Sequence, residues 1–333
     1  MLASSVRSVT AAPPHKTAPS PDEDAATGAA ASDPRPGARS AGPDASPGAG
    51  ADPRLEHGPP EHVRTAFGVR EAVPRPRPDL PGPAWRCDAL VLRPVADTVL
   101  AAWSAGAIEE LGTAGVDGLR LARPVRASDG RRVVAGWAAS HDVPGRVEPR
   151  HDDVIAASLR LHRATARLER PRLVDDRDDL LARADRAAFG ERKPPLDPET
   201  GGTLFAELAR RRRPLDRPSQ LVHGDLFGTV LFDPSDPSAP PAVLDLVPFW
   251  RPVEWAAAVV VIDALAWGGA DPGILTRWSH LAEWPQMLLH ALLFRLAVHA
   301  QHPSCTRESL HGLEHAARLV GSLLPYEGAT RLG

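Results

Sequence analysis

The chain has 333 residues, enough for two domains of ordinary size, and its formal net charge of -3 at pH 7 gives no global attraction to nucleic acid or to an anionic membrane. Its two cysteines, Cys87 and Cys305, lack the C-x-x-C spacing of zinc and redox sites, so we expect neither. The longest apolar stretch, 255–267, is too short to span a bilayer and contains Asp263, and the N-terminus lacks a signal-peptide core, so we expect a cytoplasmic protein.

Residues 1–60 form a tail of Ala, Pro, Gly, Ser and Asp with almost no large apolar side chains. Such a composition cannot offset the entropy lost when the backbone becomes ordered. We therefore predict that this tail is disordered, and we assign it no chemistry.

The first ordered elements are predicted to form a small mixed unit. Residues 88–95, DALVLRPV, alternate as in a strand, and residues 97–115 follow with helical period. Asp97 or Thr98 can cap the start of this helix. Two further strand-like runs flank the Asp-Gly pair at 129–130, which indicates a hairpin.

The later part of the chain is mostly helical. Helical patterns are predicted in five segments: 151–169, 177–188, 202–212, 254–267 and 284–300. We therefore predict an α+β fold with two lobes, a small mixed β lobe over residues 61–142 and a larger, mainly helical lobe over residues 143–330.

A motif interrupts the helical part at LVHGDLFGTVLF, residues 221–232. Residues 229–232 and 242–246 both look like short strands, and antiparallel pairing would return Asp245 beside the loop that holds Asp225. Two carboxylates at one rim suit a shared Mg²⁺ and phosphoryl transfer. The alternative is that the two aspartates are separate turn and strand-end residues.

The sequences HGDLFGTVLF, AVLDLVPFWRPVEWAAAVVVIDALAWGGA and RRVVAGWAA resemble the aminoglycoside phosphotransferase-like superfamily, a branch of the protein-kinase-like fold. They are more similar still to a group of uncharacterised actinobacterial kinase-like proteins. The resemblance covers Val63 to Leu324 and implies a two-lobed kinase-like fold that binds ATP and Mg²⁺ between its lobes. By this resemblance Asp225 matches the catalytic aspartate, Asp245 the metal-binding aspartate, and His223 the histidine that braces the loop.

The sequence departs from the superfamily's pattern at three positions that serve ATP and its metal. Thr229 stands where an asparagine joins the Mg²⁺ shell, and its hydroxyl is a shorter ligand. Arg93 stands where the superfamily has the lysine that binds the α and β phosphates, and Glu109 or Glu110 is its candidate partner on the following helix. The phosphate-covering loop has only Gly82, between two prolines that lack backbone donors.

The resemblance also implies supporting positions. Residues 137–139, from Trp137 to Ala139, should lie at the junction of the lobes and offer backbone hydrogen bonds to adenine, although the Trp137 side chain is expected to pack. Asp263, inside an apolar helix, should hold the backbone of the catalytic loop. Three further residues follow the metal aspartate and line either the acceptor pocket or the core: Trp250, Arg251 and Trp255.

These observations leave two functions open. The first is an ATP-Mg²⁺-dependent phosphotransferase that acts on a hydroxyl of a small molecule, with no nucleic-acid or membrane partner. The second is a degenerate kinase, or pseudokinase, that binds a nucleotide or a partner without useful turnover. A metal-dependent phosphoesterase fits poorly because the sequence shows no further ligand cluster.

Overall fold

The structure, a computed structural model, describes residues 58–324. The predicted disordered tail, 1–60, lies almost wholly outside the described residues, as does the end of the predicted helical lobe, 325–330. Within the described range the chain forms an antiparallel sheet with two helices, followed by a mainly helical part with short strands. The predicted α+β fold with a small mixed lobe and a larger helical lobe is confirmed.

The first part of the chain builds a sheet in the strand order β1-β2-β3-β7-β5, with β6 paired to β7 and every pairing antiparallel. Its apolar face packs beneath α1, with Trp85 and Trp137 in edge-to-face contact at its centre. The elements in chain order are α1 (Glu61–Ala66), β1 (Arg75–Pro76), β2 (Trp85–Cys87), β3 (Leu90–Pro94), α2 (Thr98–Ala114), β4 (Arg120–Leu121), β5 (Pro124–Val125), β6 (Val133–Val134) and β7 (Trp137–His141).

The strand and helix predicted at 88–95 and 97–115 are confirmed as β3 and α2. The Asp97 side chain accepts hydrogen bonds from the backbone N–H groups of Val99 and Leu100, both at 2.9 Å. This satisfies two amides that have no partner within the helix. Gly115, at φ 75°, ends the helix in a conformation that favours glycine.

The predicted hairpin around the Asp-Gly pair at 129–130 is only partly right. The chain does turn there, but β5 and β6 do not pair with each other, and both pair with β7. The tight hairpin is instead made by Ala135 and Gly136, with φ of 48° and 76°, which join β6 directly to β7. Two consecutive residues with positive φ match the twist of the strands that they connect.

The second part of the chain is built around α7 and α9, which are buried along nearly their whole length. Trp255 and Phe294 meet edge to face between these two helices. None of the helices within residues 58–324 is both long and apolar enough to cross a membrane. The elements are α3 (His151–Thr165), α4 (Arg172–Asp176), α5 (Leu180–Ala188), an irregular turn (Pro198–Gly202), α6 (Thr203–Ala209), β8 (Gln220–His223), β9 (Val230–Leu231), β10 (Ala242–Val243), β11 (Pro248–Arg251), α7 (Val253–Ala266), α8 (Ile274–Arg277), α9 (Trp284–Gln301), a 3₁₀ turn (Glu308–Leu310) and α10 (His311–Leu323).

The hairpin predicted after the His-Gly-Asp motif is present as β9 and β10, paired antiparallel with Val230 opposite Val243. The strand β4, from the first part of the chain, adds to β10 in parallel. The strand β8, which ends at His223, pairs with β11, so that His223 lies opposite Pro248. These pairings bring the motif loop and the residues after β10 to one side of the boundary between the lobes.

Candidate functional site

The imidazole of His223 connects the motif loop to the segment after β10. Its Nδ1 accepts a hydrogen bond of 3.1 Å from the backbone N–H of Asp225. Its Nε2 therefore carries the proton and lies 3.4 Å from Oδ1 of Asp245, a distance within ion-pair range but too long for a good hydrogen bond. One buried ring thus has the loop of Asp225 on one side and the carboxylate of Asp245 on the other.

Asp245 is the exposed acid of this group. Its side chain is 46% exposed, while Oδ1 is buried and has no hydrogen-bond partner among the described residues. Burial raises the pKa of this carboxyl, but His223 and the positive charge of Arg93 outweigh that effect and hold the pKa below its usual range. Asp245 is therefore ionised at neutral pH, and its second oxygen is exposed.

A second histidine, His162 on α3, holds the loop from behind, and sequence reasoning missed it. The backbone N–H of His223 donates to its Nε2 at 2.8 Å, so that the other ring nitrogen, which faces Ser158 at 3.3 Å, carries the proton. Burial, with a smaller effect of His223, lowers the pKa of His162 to about 3. The ring stays neutral, as its role as a hydrogen-bond acceptor requires.

Arg295 on α9 is the other residue that sequence reasoning missed, and it binds both buried aspartates. Its Nη2 donates to Oδ1 of Asp225 at 2.8 Å, and its Nε donates to Oδ1 of Asp263 at 2.6 Å, with a further bond from Nη2 to Asp263. Burial lowers the pKa of the guanidinium, but the two carboxylates reverse this and raise it. Burial raises the pKa of Asp263 to about 6 against the opposing effect of Arg295.

This arrangement corrects the expected role of Asp263. Its carboxylate was expected to hold the backbone of the catalytic loop, but the bonds that it accepts come from Arg295. The support therefore reaches Asp225 through its side chain rather than through the loop's amides. Since Arg295 occupies one carboxylate oxygen, Asp225 has Oδ2 left for any incoming group.

The oxygens available for a metal are few. The Thr229 hydroxyl donates to the backbone oxygens of Leu226 at 3.0 Å and Asp225 at 3.4 Å, which leaves its lone pairs open. Within residues 58–324 no group of three or more His, Cys, Asp or Glu side chains is placed to hold a metal ion. Mg²⁺ commonly takes only one or two carboxylates and fills its shell with water and phosphate. Asp245 and Thr229 thus suit a magnesium ion that arrives with phosphates, and not a metal held by protein alone.

Arg93 lies on β3 as expected, but the structure does not bring Glu110 to it. Glu109 instead accepts bonds from Arg126 and Arg132, at 2.7 and 2.6 Å, and Glu110 is exposed on α2. The residue of α2 that faces the site is Ser104, whose Oγ accepts a 2.9 Å bond from the N–H of Leu246. The expected pairing of Arg93 with either glutamate is therefore wrong.

Trp137 and Ala139 lie inside the sheet rather than at the junction of the lobes. Both are in β7, where Trp137 pairs with Pro94, and Ala139 pairs with Leu92 on one side and Val125 on the other. Their backbone groups face neighbouring strands, so they are not placed to bind adenine. The Trp137 ring is buried, as expected. The junction itself is residues 142–150, in which Arg146 pairs with Phe232 of the hairpin.

The three residues predicted to line either an acceptor pocket or the core are mostly structural. Trp255 is fully buried against Phe249 and Phe294. Arg251 forms ion pairs with Asp185 and Glu191, both at 2.7 Å. Trp250 and Arg251 are both partly exposed, and of these two only Trp250 has no ion pair to hold it.

Gly224, between His223 and Asp225, is required by close packing. A Cβ at this position would lie 2.5 Å from Cδ2 of Phe249 and 3.1 Å from Cη2 of Trp255, and both rings are buried. We expect Gly224→Ala to lower the free energy of unfolding by about 1–3 kcal/mol, because the rings must move. Urea denaturation measures this, with Gly112→Ala on the exposed face of α2 as the control. Equal stability of the two variants would contradict the packing argument.

The space around Arg93, between the lobes, is almost filled. A cavity of about 30 Å³ remains, bounded by side chains of both lobes and of the junction: Leu80, Val91, Arg93, Val143, Leu231 and Leu244. This volume holds a water molecule or two, whereas pockets for small ligands usually measure about 300–1,000 Å³. The space among these side chains is therefore too small for a nucleotide base as the protein stands.

Neither a family model nor a curated protein matches this sequence. Among solved structures, the chain is similar to an aminoglycoside phosphotransferase from Alicyclobacillus acidocaldarius, with 15% identity over 75% of this chain and 89% of that one and a TM-score of 0.47. It is similar to a choline/ethanolamine kinase family protein from Mesorhizobium loti, with 13% identity, coverage of 77% and 89%, and a TM-score of 0.47. It is also similar to a choline kinase from Streptococcus pneumoniae, with 10% identity, coverage of 72% and 89%, and a TM-score of 0.44. At these identities the likeness is one of fold alone.

Proposed function

We propose that this protein is a phosphotransferase of the kinase-like type, which transfers a phosphoryl group from ATP to a hydroxyl of a small molecule. The observation that carries the proposal is the position of His223, whose ring joins the loop of Asp225 to the carboxylate of Asp245. Phosphoryl transfer requires one acid beside the acceptor and another beside the metal and phosphates. The motif and its hairpin support this division of roles.

Asp225 acts in this proposal by orienting the acceptor. Arg295 already occupies Oδ1 of its carboxylate, so Oδ2 accepts the hydrogen bond of the incoming hydroxyl. A carboxylate that is fixed by an ion pair is better suited to positioning the acceptor hydroxyl than to removing its proton before the phosphoryl group moves. Positioning accounts for much of the catalysis of phosphoryl transfer. Magnesium, when bound with the nucleotide, neutralises phosphate charge, and Asp245 and Thr229 are the residues that would hold it.

The acceptor and the partners belong to the same proposal. A small molecule with a hydroxyl group is the expected acceptor, and neither nucleic acid nor a membrane is needed as a partner. The small lobe, residues 61–142, contributes the nucleotide side, and the helical lobe, residues 143–330, contributes the acceptor side. Arg93 is the small-lobe cation whose charge lowers the pKa of Asp245, and it is proposed to meet phosphate.

The direct test is ADP release by the purified protein with ATP, Mg²⁺ and a panel of hydroxyl-bearing metabolites. We expect one class of metabolite to stimulate release and Asp225→Asn to reduce the rate about a hundredfold, while ATP still binds. Asp216→Asn, a change at an exposed aspartate, is the matched control. Equal rates in the Asp225→Asn variant and the unaltered protein would remove Asp225 from the reaction.

A second candidate, a pseudokinase that binds a nucleotide or a partner without turnover, is favoured by a different observation. The cation that would meet the phosphates of ATP, Arg93, is engaged with the protein itself, since it donates to the backbone oxygen of Pro81. Thermal unfolding with ATP, in the presence and absence of Mg²⁺, separates the candidates, since a ligand held through metal stabilises more when the metal is present. A metal-dependent shift without any ADP release would support the pseudokinase.

A further inference from the structure

Residues 77–84, which we call the strap, lie across the boundary between the lobes. The strap carries Leu80, which is 4% exposed. Leu80 packs with Val91 of the small lobe and with Leu231 and Ala242 of the β9–β10 hairpin. An apolar side chain of the small lobe therefore occupies the space that faces the other lobe, next to the junction residue Val143.

The strap is fastened to the junction by an ion pair. The Arg77 guanidinium lies 2.5 Å from Oδ1 of Asp142, the first residue of the junction, and also pairs with Asp79 within the strap at 2.7 Å. The side chains of Arg77 and Asp142 are only 16% and 17% exposed, so solvent screens their attraction weakly. The backbone N–H of Arg77 also donates to the backbone oxygen of Ala84 at 2.9 Å, a hydrogen bond that joins the two ends of the strap.

A further bond fastens the middle of the strap to the site. Nη2 of Arg93 donates to the backbone oxygen of Pro81 at 2.6 Å. Gly82 follows with φ of 78°, a conformation that favours glycine, and prolines stand on both sides of it. The strap therefore has a defined shape, and its attachment engages the cation that the proposed function assigns to phosphate.

We propose that the strap is an autoinhibitory element, which closes the nucleotide site when Arg77 binds Asp142 and Leu80 fills the cleft. The inference rests on the proposed function, since it concerns access to the same site. In the closed form a cavity of about 30 Å³ is left, which excludes a purine ring. Binding of a nucleotide requires that Leu80 withdraw and that Arg93 release Pro81, so the observed affinity is reduced by the fraction of molecules that are open.

Two variants open the strap in different ways, and ATP is the probe. Leu80→Ala removes the side chain that fills the cleft, and Arg77→Gln breaks the ion pair without removing any core side chain. We expect each to increase ATP affinity about tenfold in the presence of Mg²⁺, measured by calorimetry, because each raises the open fraction. Arg75→Gln, at an exposed arginine of β1, is the matched control and should leave the affinity unchanged.

A second measurement reports on the strap without any nucleotide. In a Cys305→Ser background, Val91→Cys places a thiol beneath Leu80 and leaves every side chain of the strap in place, and the remaining Cys87 is fully buried. We expect this thiol to react with a maleimide about tenfold more slowly than an exposed cysteine and to react faster when Arg77→Gln is added. A rate equal to that of an exposed cysteine would show an open strap and would overturn the inference.

The two measurements together separate the inference from the proposed function. If the protein binds ATP and the affinity does not change when labelling shows an open strap, the autoinhibitory role is wrong and the nucleotide site remains. If no variant binds ATP although labelling shows an open strap, the nucleotide site itself is wrong, and the autoinhibitory role fails with it. Faster labelling together with tighter ATP binding supports both.

Discussion

Replacement of Arg295 by methionine will destabilise the protein by about 3–5 kcal/mol, because it leaves two buried carboxylates without their cation. Asp225 and Asp263 are 5% and 1% exposed, and both accept hydrogen bonds from this one guanidinium. Methionine has a similar length and fills much of the same space, so the loss is electrostatic rather than a packing defect. Urea denaturation at pH 7.5 measures the change.

The same experiment can show which carboxylate causes the loss. Asp263→Asn in the Arg295→Met background removes one stranded charge, and we expect it to restore part of the lost stability. Arg163→Met, at an exposed position of α3, is the matched control and should cost less than about 0.5 kcal/mol. A loss below about 1 kcal/mol for Arg295→Met would mean that the aspartates find other partners.

The elements that the sequence predicts well are those whose signals are local. The helix α2 shows its helical period, its Asp97 cap and its terminal glycine, Gly115, within nineteen residues, 97–115, and all three are present in the structure. The β9–β10 hairpin is predictable because two short apolar runs flank a loop rich in proline and aspartate. The turn at Ala135 and Gly136 escapes prediction because alanine seldom adopts positive φ, so the pair resembles the interior of a strand.

The candidate site likewise contains residues that local sequence signals predict and residues that they do not. His223, Asp225 and Asp245 belong to a compact motif and its hairpin, so the sequence by itself predicts that they lie close together. Arg295 reaches Asp225 from 70 positions away, and His162 reaches His223 from 61 positions away. Both lie in helices whose pattern is explained by core packing alone. The one available signal is that a charged or polar side chain at a buried helical position needs a partner.

The wrong assignments have geometric causes. In α2 successive side chains point about 100° apart, so a small error in the helix's rotation exchanges Glu109 for Glu110. The α2 residue that does face the site is Ser104, which lies more than one turn before either glutamate. The prediction places Ala139 at the junction, although β7 continues to His141. Strand ends are weakly marked, and an error of a few residues moves a backbone group from a junction into a sheet.

The charges at the site are balanced by the protein's own cations. Arg295 neutralises Asp225 and Asp263 in part, and Arg93 with His223 keeps the pKa of Asp245 low. Asp245 is thereby held ionised without a metal, and Arg295 fixes the other two carboxylates, so the site keeps its geometry when no nucleotide is bound. The same pairing lowers the attraction that the carboxylates exert on Mg²⁺, so metal affinity should depend on the phosphates that accompany it.

The protein will lose stability as the pH falls below about 6.5, because buried histidines that are neutral in the folded state must take up protons on unfolding. Burial lowers the pKa of His162 to about 3 and that of His290 to about 4, from a usual value of 6.5. For a base whose pKa is lowered by folding, the stability is fully present above 6.5 and is lost as the pH falls toward the folded value. Each residue contributes a loss of about 2 kcal/mol between pH 8 and pH 5.

Asp263 has the opposite effect on the free energy of unfolding as the pH falls. The raised pKa of Asp263, about 6, means that the folded state takes up its proton first, which returns about 1 kcal/mol by pH 5. The expected net loss is therefore about 3 kcal/mol, measured as the free energy of unfolding in urea at pH 8 and at pH 5. His290→Gln should remove about 2 kcal/mol of this pH dependence, and His62→Gln, on the exposed face of α1, controls for the substitution. If the His290→Gln variant loses no stability between these pH values, the ring of His162 is not buried in its neutral form, and the support that it gives to the loop of Asp225 would then be lost as well.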